Sequence, residues 1–168
     1  SVNLVPYVEY NIGNDDPLEA PPIEGWSSLT QDFIKLGYDQ RVHWFRFGLN
    51  NRNPNPTSLY VELDNALLDN VTFYILNNGK VRSVQNLGDN YNFKLRPVLQ
   101  ESFVIPVSLL AGETIEVYIA VQSEGTVNFP LVLWQKEVFQ QQENYDRLMA
   151  GLFIGIIIAA IFAYVIVY

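Results

Sequence analysis

Thr114–Gln122 reads TIEVYIAVQ, and its apolar residues recur at every second position. Ile115, Val117, Ile119 and Val121 fall on one face of an extended chain, with Glu116, Tyr118 and Gln122 on the other. A period of two belongs to a β-strand with one buried face, the usual arrangement in antiparallel sheets. Upstream, Val42–Asn50 (VHWFRFGLN) repeats the pattern: Phe45, Phe47 and Leu49 face one way, Trp44 and Arg46 the other. The stretches LYVEL at 59–63 and VTFYIL at 71–76 alternate in the same manner.

VTFYIL runs into Asn77-Asn78-Gly79-Lys80, and Asn-Gly is a strong hairpin signal because both residues tolerate positive φ. Residues 81–84 are then the returning strand. SFVIPV at 102–107 adds a strand whose Pro106 favours an edge or a strand end, and LVLW at 131–134 is the last. Turn residues separate these runs at 50–58, 88–90, 111–113 and Gly125. About eight strands without a strong helical stretch between them predict an all-β fold, an antiparallel sandwich of jelly-roll type. Proline and turn residues exclude regular structure over 14–22 (NDDPLEAPP), and Ser28 or Thr30 is suited to cap a short helical turn over 28–36.

The final stretch, 148–168, has a different character. It reads LMAGLFIGIIIAAIFAYVIVY and contains no charge and no proline. At ~1.5 Å per residue it spans roughly 30 Å, the thickness of a bilayer's hydrocarbon core. It is expected to be a transmembrane helix, and Gly151 and Gly155 have the spacing that lets a second helix approach closely. The polar stretch QQQENYDR at 140–147 holds no helix breaker and reads as a connector that extends the membrane helix. The expected division is therefore a domain over 1–139, a connector over 140–147 and the membrane helix over 148–168. The sequence starts at Ser1 without an initiator methionine, which fits a removed leader or a trimmed chain.

Acidic residues number 18 against 10 basic ones, a formal net charge of −8 carried entirely ahead of Leu148. Such a domain is a poor partner for nucleic acid or anionic headgroups; its ligand is neutral or cationic, or the charge serves solubility. The absence of cysteine removes disulfides, thiolate nucleophiles and cysteine metal sites. No dinucleotide, P-loop, HExxH or GxSxG fingerprint occurs, and neither a metal nor a cofactor is expected. Asp15, Asp16, Glu19 and Glu24 lack the spacing of a calcium loop and read as a solvated acidic loop.

The candidate ligand contacts are aromatic and polar residues on the predicted sheet. Trp44 and Arg46 share a strand face, and Tyr60, Tyr74 and Tyr118 occupy non-core positions on neighbouring strands. Flat aromatic faces combined with planar hydrogen-bonding groups suit sugars; the bland alternative is a second packed layer. His43 is the single histidine, either a ligand contact or a packed strand residue.

The order of these signals resembles a known family. Leu36-Gly37-Tyr38 leads to Trp44-Phe45-Arg46-Phe47 and the Asn50-Asn51 turn. LYVEL, then LLDNVTFY at 67–74, Leu87-Gly88-Asp89 and Arg96-Pro97 follow, and YIAVQSEG precedes the helix that begins LMAGLFIG. The chain is similar in this to the second type of extracellular sensor domain of bacterial seven-transmembrane receptors with diverse intracellular signalling modules. The resemblance implies a jelly roll like that of carbohydrate-binding modules, with 1–147 in the periplasm and the helix in the inner membrane. It also implies further membrane helices and an output module, such as a histidine kinase or diguanylate cyclase, beyond Tyr168. Trp44, Arg46, Gly88, Asp89 and Arg96 best match the shared pattern, although Gly88 and Asp89 suit a turn equally well.

The expected function is ligand sensing, of a carbohydrate or related small molecule, by a segment that is not itself an enzyme. Trp44, Arg46, His43, Tyr74, Asp89 and Arg96 are the candidate contacts. The alternative is a protein-interaction or dimerisation module with no small ligand, a homodimer being one such partner.

Overall fold

The computed structural model describes residues 1–13, 20–29, 31 and 33–167. Asp15, Asp16, Glu19 and the Thr30 cap lie outside them. In chain order the strands are β1 (Val2–Asn3), β2 (Glu9–Gly13), β3 (Ser27–Ser28), β4 (Ile34–Tyr38), β5 (Val42–Asn50) and β6 (Thr57–Leu63). They continue as β7 (Asn70–Asn77), β8 (Lys80–Leu87), β9 (Phe103–Leu109), β10 (Thr114–Gln122), β11 (Thr126–Phe129) and β12 (Leu131–Gln135). The helix α1 occupies Lys136–Val167.

A six-stranded sheet, β3-β2-β5-β10-β7-β8, packs against a four-stranded sheet, β1-β12-β6-β9, with β11 and β4 paired alongside. Every registered pairing is antiparallel. The core fills the space between the sheets. Phe45, Phe47, Phe73, Ile115, Val117 and Ile119 come from one side, and Val61, Leu63, Phe103, Ile105 and Leu131 from the other. This is the jelly-roll sandwich that the alternating strands predicted.

Local chemistry explains the connections. The β7–β8 hairpin turns through Asn78 and Gly79 at φ 50° and 71°, the positive values that Asn-Gly supplies. Pro106 sits on β9, an edge strand of its sheet, where a missing N–H costs no ladder bond on the open side. At the same edge, the Arg82 guanidinium on β8 of the other sheet reaches the Ser108 carbonyl of β9 at 3.2 Å.

The helical turn expected over 28–36 is not what the described residues form. Ser28 lies in β3, and Ile34, fully buried, starts β4 opposite Phe129. Pairing with β11 buries Ile34 and outweighs a weak local helix preference. Tyr60, expected near Tyr74 and Tyr118, lies on β6 opposite Pro106 and so belongs to the other sheet.

Residues 135–168 form a separate unit dominated by α1. The helix is long and apolar enough to cross a membrane. Glu137 lies in its first turn, where a negative side chain complements the helix dipole. Residues 140–147 are helical, with Gln142 donating to Asp146 at 3.2 Å one turn on.

Candidate ligand-binding site

Antiparallel register aligns a row of side chains across the outer face of the six-stranded sheet. Glu9 of β2 stands opposite Arg46 of β5, Arg46 opposite Tyr118 of β10, Tyr118 opposite Tyr74 of β7, and Tyr74 opposite Val84 of β8. The next row runs Asn11, Trp44, Ala120, Thr72 and Asn86. Trp44 therefore faces alanine, the small neighbour its indole needs, and stacks obliquely on Tyr74 with ring centroids 5.6 Å apart.

Residues 20–28 cover part of this face. Trp26 packs on the cluster of Val42, Trp44, Tyr74, Tyr118 and Ala120. Its indole N–H donates to the Pro22 carbonyl at 3.1 Å, and Asn11 Nδ2 donates to the Glu24 carbonyl at 2.7 Å. Trp44 is consequently 0% exposed, and its Nε1 finds no hydrogen-bond partner among the described residues. Tyr74 is also buried, at 4%.

Arg46 marks the boundary between the covered and the open part. Its Nε donates to Glu9 Oε2 at 2.5 Å, and its guanidinium carbon lies 4.4 Å from the Trp26 ring centre. Burial works against the charge on Arg46, yet the hydrogen bond and charge of Glu9, with help from Tyr118, raise its pKa above the ordinary value. Tyr118 donates to Glu116 at 3.2 Å, and burial followed by the Glu116 charge pushes its pKa up.

Beside Arg46 opens a cavity of about 250 Å³, lined by Tyr7, Glu9, Arg46, Gly48, Glu116 and Tyr118 among others. Tyr7 is 69% exposed, a free aromatic face at its edge. A Cβ built on Gly48 would meet only the Ile115 carbonyl oxygen, at 4.0 Å, so the missing side chain helps keep the space open. The arrangement offers a guanidinium donor, two carboxylate acceptors and aromatic surface, the set that holds a hydroxylated ring.

The other candidate residues lie elsewhere. His43 is on β5 but points to the core side, where Tyr10 donates its hydroxyl proton to Nδ1 at 2.8 Å. Its Nε2 lies 3.4 Å from the Asp39 carbonyl, so the pairing places the ring proton on Nε2. Burial lowers the His43 pKa, with Asp39 opposing, and burial pushes Tyr10 up to about 12. The side-chain hydrogen bonds from Arg41 hold the Asp39 carboxyl well below the usual carboxylate range.

Asp89 and Arg96 belong to the β8–β9 connection. Arg96 Nη1 donates to the Gln100 and Glu101 carbonyls, both at 2.8 Å, and its guanidinium lies between the Phe93 and Phe103 rings at 4.9 and 4.6 Å. It ties that loop down. The Asp89 side chain is exposed, and its backbone N–H donates to the Leu68 carbonyl at 2.8 Å. Of the sequence candidates, Arg46 and Tyr118 line the outer-face cavity, with Trp44 and Tyr74 packed in the sheet face beside them. Tyr7, Glu9, Trp26 and Glu116 carry no sequence signal for a site. Only Glu9's charge, and its place opposite Arg46 once register is known, bring it in.

The family model for 7TMR-DISM extracellular 2 matches residues 7–135. The chain belongs to this family. A DISM extracellular 2 domain is an extracellular sensor domain of seven-transmembrane receptors, and the apolar helix that follows makes this an inner-membrane protein with a periplasmic segment. No curated protein matches the sequence.

Among solved structures, the DISM extracellular 2 chain is similar to beta-glucosidase from Kluyveromyces marxianus in complex with glucose. There the TM-score is 0.44 and identity 9%, over 76% of this chain and 15% of that one. It is also similar to BtGH115A, a 4-O-methyl-alpha-glucuronidase (TM-score 0.33, identity 15%, 61% of this chain and 14% of that one). A third is tailspike protein 4 of bacteriophage CBA120 (TM-score 0.35, identity 13%, 76% of this chain and 18% of that one). The chain spans less than a fifth of each. At these scores the likeness decides nothing about the ligand.

Proposed function

We propose that this domain senses a small carbohydrate-like ligand in the outer-face cavity beside Arg46. The observation that carries the reading is the held guanidinium. Arg46 is fixed by Glu9 on one side and Trp26 on the other, yet its side chain remains 30% exposed next to open space and the free ring of Tyr7. A donor positioned before the ligand arrives loses little entropy on binding.

Residues 1–139 act as the sensor, 140–147 as the connector and 148–168 as the first membrane helix of a longer receptor. β12 ends at Gln135 and α1 begins at Lys136, so no loop intervenes between the last strand and the helix. Ligand shifts the population between arrangements of the receptor to the extent that it binds one of them better. Isothermal titration of the chain in lipid nanodiscs against a panel of mono- and oligosaccharides tests the reading. Saturable binding lost in Arg46→Ala supports it. Binding that Arg46→Ala leaves unchanged, or none across the panel, overturns it.

A further inference from the structure

A second cavity lies at the other end of the same sheet, and no candidate residue of the sequence reading lines it. It encloses about 360 Å³, within the size range of small-molecule pockets. Glu116 lines the outer-face cavity and Gln122 lines this one; six residues of strand separate them by about 20 Å. Four chain segments build its wall. Gln40 precedes β5, Asp69 and Asn70 open β7, Asn90 follows β8, and Gln122 closes β10 ahead of Ser123 and Glu124.

The wall is fixed before any ligand enters. Asp69 Oδ2 accepts from Ser123 Oγ and from the Glu124 backbone N–H, both at 2.7 Å. Ser123 is buried and its Oγ accepts from the Gly125 N–H at 3.2 Å. The Asn90 N–H donates to the Asp69 carbonyl at 3.2 Å. Gly88 lets these loops meet: its φ is +132°, and a Cβ there would sit 2.1 Å from the Asp69 carbonyl oxygen.

The charge of the wall is one-sided, carried by the carboxylates of Asp69 and Glu124. Two of its carboxamides have already spent an N–H: Gln40 Nε2 on the Tyr38 hydroxyl at 3.0 Å, and Gln122 Nε2 on the Gln40 carbonyl at 3.3 Å. Their amide oxygens, the second oxygen of Asp69 and both oxygens of Glu124 are left to accept. Among the described residues, no lysine or arginine lines the cavity. Elsewhere in the domain carboxylates meet guanidinium groups, as in Glu9 with Arg46, Asp39 with Arg41 and Glu113 with Arg82; among the described residues Asp69 and Glu124 have no such pair.

We infer that this cavity is a binding site distinct from the outer-face cavity, and that it takes a small hydroxylated organic cation. An ammonium group supplies three donors and the positive charge that the wall lacks, and neighbouring hydroxyls meet the free amides of Asn70 and Asn90. The carboxamide-rich lining distinguishes it from a bare acidic surface, which would hold any cation loosely through screened charge.

Three probes that differ at one ring position test the assignment: glucosamine, N-acetylglucosamine and glucose. They are titrated calorimetrically into the chain in nanodiscs of neutral lipid at 150 mM salt. Glucosamine is expected to bind at least tenfold more tightly than either uncharged sugar. Glu124→Gln, at an exposed position whose side chain has no hydrogen bond among the described residues, is expected to weaken glucosamine about tenfold, and Asp69→Asn more; circular dichroism melting checks that both stay folded. Equal affinity for the three probes overturns the inference, as does glucosamine binding indifferent to Glu124→Gln. Binding abolished by Gly48→Val instead would move the cation to the outer-face cavity and equally overturn it.

Discussion

Arg46 and Glu9 face each other across the β5–β2 register, and the 2.5 Å contact between Nε and Oε2 is sandwiched against the Trp26 ring. Both side chains keep contact with water, at 30% and 43% exposure, so the ion pair is worth only about 0.2–1 kcal/mol of stability. Its value is positional: it aims a guanidinium at the neighbouring cavity. Arg46→Ala also removes the stacking on Trp26 and is expected to cost about 1–2 kcal/mol in urea unfolding. Glu9→Gln should cost under about 1 kcal/mol, because stacking remains. A loss above about 3 kcal/mol for Arg46→Ala would show the residue to be structural first.

Gly48→Val separates ligand binding from stability. The new Cβ meets nothing closer than 4.0 Å, and no positive φ requires glycine there. A β-branched residue suits a strand interior. Thermal melting should therefore stay within about 1 kcal/mol of the parent, while carbohydrate titration shows binding reduced at least tenfold.

Trp44→Ala behaves as a core mutation. With no exposed surface and contacts to Tyr74 and the Trp26 cluster, its removal leaves a cavity costing about 3–5 kcal/mol. Trp44→Phe should cost clearly less, since it keeps aromatic volume and discards an N–H that has no partner among the described residues. Chemical denaturation of the two variants side by side gives the comparison, and equal losses would contradict the packing described.

Gly88→Ala tests the loop junction beneath the polar cavity. A methyl group 2.1 Å from the Asp69 carbonyl oxygen forces the 67–70 and 88–91 segments apart, at a backbone conformation side chains rarely adopt. A loss of at least about 2 kcal/mol is expected. Proteolysis should cut the variant first near these segments.

His43 sets a pH dependence. Burial lowers its folded pKa below the ordinary 6.5, with the nearby Asp39 charge opposing. Between the folded and unfolded values the unfolded chain holds the extra proton, so stability falls as pH drops below about 6.5 and levels off only below the folded value. Asp39 is displaced in the same direction, its pKa depressed by Arg41, but its contribution is lost in a lower window, only once pH falls below the ordinary 3.8. Melting temperature measured from pH 7.5 to 4.5 should decline, and His43→Gln should flatten the part of that decline nearest pH 6.5. An unchanged slope would remove His43 as its source.

The local chemistry of the chain did not specify the short strands β1 to β4 and β11, but it was enough to specify the long strands β5 to β10 and β12, the Asn78-Gly79 hairpin and the apolar helix. Each of these depends on a period or a turn readable within about ten consecutive residues. The helical turn over 28–36 misled because its competitor, pairing of Ile34 with Phe129, lies more than ninety residues away. The sites follow the same division. Composition marked Trp44 and Arg46 as residues worth watching, but only the register placed Glu9 against Arg46 and buried Trp44 under the cover that includes Trp26. The polar cavity had no local trace at all, since Gln40, Asp69, Asn90 and Glu124 each read alone as turn or strand-end residues. Strand faces are set by neighbours in sequence; sites are set by which distant loops the closed sandwich brings to one rim, and only the tertiary structure decides that.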